Sequence, residues 1–136
     1  MPTDPPVTPG HLQFELVPVP VRDLDRAKAF YADQVGFTLD VDVEPAPGVR
    51  VVQLTPPGSS VSIKLSTGFP KLDMEPGSLR GLHLVVADID AERNRLIANG
   101  IDVEPIEDVR GVQFAYFADP DGNTWTLQHL PWRPIG

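Results

Sequence analysis

The same sequence pattern occurs twice in this chain. Residues 81–100 begin with alternating apolar residues that predict a buried strand, continue with Asp88 as a helix N-cap, and end on Gly100, which suits the left-handed helix stop. Residues 14–37 repeat this order, and Asp23-Leu24-Asp25 corresponds to Asp88-Ile89-Asp90, 65 positions later. The chain is therefore predicted to be an internal duplication.

Each half is predicted to be a β-α-β-β-β module. The first module, about residues 12–67, has a predicted helix at 24–34 and predicted strands at 12–21, 37–43, 49–55 and 61–65. The second, about residues 79–130, has a predicted helix at 88–99 and predicted strands at 81–87, 101–106, 112–118 and 124–130. Such a module buries only one face of its small sheet. The predicted fold is therefore α+β, with two modules paired around a central cavity.

The remaining segments are predicted to be irregular. Residues 1–11 are rich in proline and poor in apolar side chains, which predicts a disordered N-terminal tail, and residues 131–136 are a C-terminal tail. Residues 67–78 mix glycine, proline and charge, and are the expected linker between the halves. Pro18 and Pro20 remove two backbone donors, so the first strand is predicted at a sheet edge or a module junction.

Composition excludes several classes of function. A net charge of −8 and a pI near 4.6 argue against partners such as nucleic acid and anionic membranes, which are bound by positive surfaces. No apolar run approaches the roughly 18 residues of a membrane span, and the first residues lack the features of a signal peptide. The absence of cysteine excludes thiol catalysis and thiolate metal sites, and it fits a reducing compartment. A cytoplasmic protein is expected.

Two motifs carry a resemblance to a known family. The element order, DLDRAKAFYADQVGF at residues 23–37 and FADPDGNTWTLQ at residues 117–128 together resemble the vicinal oxygen chelate superfamily. That group includes glyoxalase I, extradiol dioxygenases, metal-dependent fosfomycin-resistance enzymes and bleomycin-binding proteins that need no metal. The likeness covers about residues 12–130. It implies paired modules around a pocket, usually in a homodimer, and we expect the dimer contacts to include the first strand or its helix.

The resemblance also implies four positions for a metal. Members with a metal carry one His, Gln or Glu on the first and last strand of each module, and these ligands leave open positions for substrate oxygens. Counting from the two motifs places Leu16, Lys64, Gly81 and Thr126 at these positions. None is a useful ligand, so no cofactor is expected at the usual metal site. A divalent metal at a rearranged site stays open: His83 and Gln128, two residues further along their strands, could join Glu15 or His129 after a local irregularity.

Other polar and aromatic residues have a functional and a structural interpretation. Lys64 either meets an anion or a pocket acid, or leans out to water at the strand end. Phe114, Tyr116 and Phe117 cover both faces of one strand, and Trp132 either covers a pocket or packs at a dimer seam. Trp125 is expected to pack between sheet and helix. Asp119 and Asp121 are expected to form a turn rather than a metal site.

The resulting hypothesis is a protein that binds a small organic molecule in an apolar cavity. The expected ligand-binding residues are Leu16, Lys64, Gly81, His83, Phe114, Tyr116, Thr126 and Gln128. The alternative is an enzyme, either a metal-dependent lyase or dioxygenase with displaced ligands, or a metal-free isomerase using His83 as acid or base. His83 is otherwise a hydrogen-bonded pocket wall. If Lys64 lies beside His83, the pair fits a ligand with an enolisable carbonyl or a phenolate, and it fits a cationic drug badly.

Overall fold

The computed structural model describes residues 7–133. Over these residues, the order of elements is β1 (Leu16–Pro18), α1 (Leu24–Ala29), a π-helical turn (Phe30–Val35), β2 (Thr38–Ala46), β3 (Val49–Thr55), β4 (Ser62–Thr67), a 3-10 turn (Pro70–Leu72), β5 (Leu82–Val85), α2 (Ile89–Ala98), β6 (Glu107–Val109), β7 (Val112–Ala118) and β8 (Thr124–His129). None of the helices described is long and apolar enough to cross a membrane.

Two four-stranded sheets form within residues 7–133. The first sheet has the order β1-β4-β3-β2, and the second has the order β5-β8-β7-β6. In each sheet the edge strand that opens the module is parallel to its neighbour, and the remaining pairs are antiparallel. The α+β class and the two β-α-β-β-β modules are thereby confirmed.

The two helices occupy equivalent places, as the repeat predicts. Asp23 caps α1 by accepting a bond of 3.1 Å from Arg26 N, and Asp88 caps α2 by accepting one of 3.0 Å from Ala91 N. The ends of the two helices also meet reciprocally. Gln34 Nε2 donates to Asn99 O at 3.1 Å, and Asn99 Nδ2 donates to Gln34 O at 2.9 Å. Equivalent residues of the repeat therefore contact one another across an approximate two-fold axis.

One apolar core lies between the sheets and holds both helices. Its buried residues come from the two sheets and from α1, α2 and the π-helical turn, and include Leu54, Leu65, Tyr31, Leu96, Trp125 and Leu127. In a single chain, the space between the modules is thus filled by helices and core. The other face of each sheet points away from this core, because successive side chains of a strand alternate between faces.

Several element boundaries differ from the sequence prediction. The first strand is only Leu16–Pro18 at the sheet edge, where Pro18 has no N–H to donate. The helix predicted over 24–34 changes at Phe30 into a π-helical turn, in which the consecutive Phe30 and Tyr31 are both buried. The strand predicted over 101–106 is wrong. Ile101 and Val103 are buried without strand pairing, and the strand that pairs with β7 is Glu107–Val109.

The predicted tails extend beyond what the structure describes. Residues 1–6 of the N-terminal tail and residues 134–136 of the C-terminal tail lie outside the described residues. Residues 7–11 are exposed and contain neither helix nor strand.

Candidate functional site: the outer faces of the two sheets

The candidate site residues lie on the sheet faces that point away from the core. In β4, Ile63 and Leu65 are buried in the core, so Lys64 between them lies on the opposite face. In β8, Trp125 and Leu127 are in the core, and Thr126 and Gln128 therefore lie on the opposite face. We call these surfaces the first outer face and the second outer face. The prediction that Trp125 packs between sheet and helix is confirmed.

On the first outer face, Lys64 lies in the middle of a row across the sheet. Pro18 is its neighbour in β1, and Gln53 is its neighbour in β3. Leu16 lies in the adjacent row beside Ser62. Glu15 precedes β1, and its carboxylate accepts a bond of 3.4 Å from Gln53 Nε2.

Lys64 contributes to a cavity of about 480 Å³ that the segment 68–76 closes on one side. The walls combine polar residues, among them Ser66, Thr67 and Asp73, with the apolar residues Pro18, Val21, Phe69, Leu72 and Met74. The Lys64 ammonium lies 4.4 Å from the centroid of the Phe69 ring, a cation–π contact. We call this space the linker cavity.

A polar cluster at the other end of this face was not predicted from the sequence. Ser62 Oγ donates to Thr55 Oγ1 at 2.6 Å, and the Thr55 hydroxyl donates in turn to a carboxylate oxygen of Asp40. Asp40 lies where the pairing of β2 with β3 shifts by one residue, between Leu39 and Val41. This bulge turns a carboxylate towards the outer face, and bulges commonly re-aim a side chain in this way.

On the second outer face, His83, Thr126 and Tyr116 are neighbours in one row. In the next row, Gln128 lies between Val85 and Phe114. Phe114 and Tyr116 thus lie on the outer face, whereas Phe117 is buried in the core. Burial and the neighbouring Glu107 carboxylate raise the pKa of Tyr116 above its usual value.

His83 is exposed, and its ring orientation is fixed by the preceding backbone. Its Nδ1 is hydrogen-bonded to the carbonyl oxygen of Gly81. Because a carbonyl can only accept, Nδ1 carries the proton of this hydrogen bond, and Nε2 is the ring nitrogen that the bond leaves unoccupied. Gly81 itself precedes β5, has a φ of +73°, and contributes this carbonyl rather than a side chain.

Lys64 and His83 do not lie side by side in one chain. They belong to different sheets, and each sheet turns its outer face away from the shared core. Lys64 has Phe69 as its neighbour, and His83 has Gly81. The expectation of an adjacent ammonium and imidazole therefore fails within a single chain.

The residues at the four family metal positions do not fit a metal ion. Leu16 and Gly81 offer no side-chain ligand, Lys64 brings a positive charge, and Thr126 is a buried hydroxyl. Among residues 7–133, no group of three or more His, Asp or Glu side chains is placed to hold a metal. His129, one partner of the rearranged site, is turned to the Val86 carbonyl at 3.2 Å.

The Asp119 turn joins the modules through a buried polar network. Asp119 Oδ1 accepts bonds from the backbone N–H groups of Asp121, Gly122 and Asn123, so the turn prediction is confirmed. Asp119 Oδ2 accepts from the Tyr31 hydroxyl at 2.7 Å, and that hydroxyl accepts from Trp125 Nε1 at 2.9 Å. The network leads from the π-helical turn of the first module into the second sheet.

The family is decided by comparison with known proteins. The family model of the Glyoxalase/Bleomycin resistance protein/Dioxygenase superfamily matches residues 8–127. The chain belongs to this superfamily. Membership of the vicinal oxygen chelate superfamily, as the two motifs indicated, is thereby confirmed.

Similar proteins share most of their length with this superfamily member. TnmS3, an antibiotic binding protein from Streptomyces sp. CB03234, is 39% identical, with 88% of this chain and 97% of that chain covered at a TM-score of 0.78. A glyoxalase/bleomycin resistance protein from the same Streptomyces is 41% identical, with 85% and 98% covered at a TM-score of 0.72. The uncharacterized protein YetH of Bacillus subtilis (strain 168) is 28% identical over 120 residues, which are 85% of this chain and 97% of YetH.

Proposed function

We propose that the protein is a cytoplasmic homodimer that binds a small organic molecule without the family's metal and without turnover. The observation that carries the proposal is the composition of the two outer faces. Each combines apolar side chains with a few placed polar groups, as ligand sites do, and none of the four family metal positions offers a suitable ligand. The likeness to an antibiotic binding protein supports a binding role.

The proposed cavity lies between two copies of the chain. Since the outer faces point away from the core of one chain, the first outer face of one copy would meet the second outer face of its partner. Exposed apolar residues of the edge strands β2 and β6 support such a contact: Val43 is 49% exposed and Val109 is 55% exposed. Burial of these side chains against a second copy would remove them from water.

The test is a binding experiment that also looks for products. Native mass spectrometry with a panel of aromatic antibiotics, both cationic and anionic, should show two bound molecules per dimer, and the bound compound should be recovered chemically unchanged. Conversion of a bound compound that depends on the protein would contradict the binding role.

A second candidate function, metal-free proton transfer, is favoured by the hydrogen bond that orients the His83 ring. The hydrogen bond from Nδ1 to the Gly81 carbonyl leaves Nε2 as the ring nitrogen available for proton transfer with a ligand on the second outer face. If turnover of a ligand is found, His83→Gln should abolish it while binding is retained. An unchanged rate in this variant would exclude His83 as the acid or base.

A further inference from the structure

The linker cavity contains a cationic side chain, Lys64, whose ammonium lies against the Phe69 ring. An ammonium group has three donors and no acceptor, and it needs an oxygen or an anion when water is partly excluded. Among residues 7–133, no carboxylate lies within 4.0 Å of Lys64 Nζ, and no side-chain hydrogen bond satisfies it. Its close neighbour is the Phe69 ring.

Asp73, an acid that lines the linker cavity, does not neutralise the Lys64 ammonium. Asp73 is exposed and lies beyond ion-pair distance from Lys64. The other charged residues of the segment, Lys71 and Glu75, do not line the cavity. Lys64 is half-buried as a residue, and among residues 7–133 no ion pair neutralises the positive charge that it brings to the cavity.

We propose that the linker cavity binds an organic anion, with a carboxylate or phenolate oxygen on Lys64 Nζ. The apolar body of the ligand packs against Phe69, Leu72 and Met74. A charge-assisted hydrogen bond in such surroundings is stronger than one between neutral groups. This inference rests on the proposed function for the face it uses, and it adds the ligand class: anions are bound and cations are disfavoured.

The size of the cavity fits this class. A volume of about 480 Å³ lies within the range of pockets that hold small organic ligands, roughly 300–1,000 Å³. A two-ring aromatic acid is a suitable probe, because its ring can contact Phe69 while its carboxylate reaches Lys64.

The experiment compares 2-naphthoate with 2-naphthamide, which has the same shape and no charge. Calorimetric titration of the native protein should show naphthoate binding at least about ten-fold more tightly, the lower range for a hydrogen bond to a charged group. Lys64→Met should remove this preference. Lys71→Met, a matched control with the same loss of charge in an exposed lysine of the segment, should retain it.

Equal affinity for the two probes in the native protein would overturn the inference, and this comparison requires no variant. If Lys71→Met also loses the preference for naphthoate over naphthamide, the preference comes from the net charge of the protein rather than from Lys64. That result would also overturn the inference. Backbone amide shifts on naphthoate binding should centre on residues 64–74, and shifts centred elsewhere would contradict the site. Because residues of one chain line the cavity, a failure of the naphthoate comparison is distinguishable from a failure of the antibiotic-binding experiment.

Discussion

Tyr31 joins the two halves of the molecule through a single hydroxyl. The side chain is fully buried, donates to Asp119 and accepts from Trp125. Asn123 completes the network by donating from Nδ2 to Asp119 Oδ2 at 2.8 Å and to Pro20 O at 2.8 Å. A buried network of this kind stabilises only when every member has a partner.

Removal of the Tyr31 hydroxyl should therefore destabilise the fold. Tyr31→Phe leaves Trp125 Nε1 without an acceptor and removes one of the two donors to Asp119 Oδ2. We therefore expect a loss of about 2 kcal/mol in the free energy of unfolding. Urea denaturation measures it. Tyr116→Phe is the control, since its hydroxyl makes only a 3.4 Å bond to Glu107, and it should cost less than about 0.5 kcal/mol. Equal losses in the two variants would contradict the role of the network.

The same tyrosine predicts a pH dependence. Burial, and then the neighbouring Asp119 carboxylate, raises the pKa of Tyr31 above its ordinary value of 10.0. Above pH 10 the unfolded chain releases this proton and the folded chain retains it, so stability falls as pH rises, by up to about 1.4 kcal/mol per unit. Urea denaturation between pH 9 and pH 11 should give a steeper decline for the native protein than for Tyr31→Phe. Parallel declines would show that Tyr31 does not contribute.

The sheet face on which a side chain lies could be predicted from the sequence wherever the residue is inside a regular strand, because successive side chains alternate between the two faces. The positions of Lys64 on the first outer face, and of Thr126 and Gln128 on the second, follow from the buried residues next to them in their strands. The place of Asp40 depends on a bulge in β2, and the only trace in the sequence is an acid between two apolar residues. The contact of Lys64 with Phe69 depends on the path of the linker, which no periodicity predicts.

At the scale of elements, ion pairs join α1 to the hairpin of β2 and β3. Asp42 accepts two bonds of 3.0 Å from Arg50 and one of 2.7 Å from Lys28 of α1. Arg50 also pairs with Asp25 of α1 at 2.8 Å. These bonds lower the pKa of Asp42 from 3.8 to about 2, and those from Arg50 have a larger effect than the one from Lys28.

Asp42→Asn should weaken this connection in a pH-dependent way. The native carboxylate contributes fully above the unfolded pKa near 3.8, and its contribution is lost as pH falls towards about 2. We expect the variant to be less stable by roughly 1 kcal/mol at pH 7 in urea denaturation, and the difference to disappear near pH 2. Asp33→Asn, an exposed acid after α1, is the control. A difference that persists at low pH would contradict the assignment.

Elements were predicted best where hairpin partners lie close in sequence. The strands over 49–55 and 112–118 were predicted with their observed bounds, because alternation and turn residues mark both ends. The strand over 101–106 was wrong because Ile101 and Val103 alternate like a strand but fill the core beside α2. Alternating apolar residues indicate that one side of a segment is buried. They do not show whether the segment pairs with a neighbouring strand.

At the scale of the whole molecule, the outer faces determine the expected assembly. Sedimentation equilibrium at micromolar concentration should give a dimer, with contacts that include β1 or α1. Val43→Asp places a charge among the exposed apolar residues and should shift the protein towards monomer, whereas Asp33→Asn should not. A native protein that is monomeric under these conditions would remove the dimer from the proposal.

The expectation about metal is also tested on the whole protein. Protein purified without chelator should hold well under one equivalent of transition metal, and EDTA should leave the melting temperature unchanged. A metal that binds only the folded state would stabilise it, so removal of even a modest site would lower the melting temperature. Stoichiometric metal that depends on His83 would contradict this prediction and favour the enzyme.

The two modules are alike in plan, yet they are not interchangeable. The position of α2 that corresponds to Tyr31 is Leu96, and the residue after β3 that corresponds to Asp119 after β7 is Pro56. A gene built from two copies of the first half would encode the tyrosine twice without its carboxylate, and two copies of the second half would encode the carboxylate without its phenol. The buried hydrogen bond between Tyr31 and Asp119 therefore requires one copy of each half, in the same way that a heterodimer requires both of its subunits.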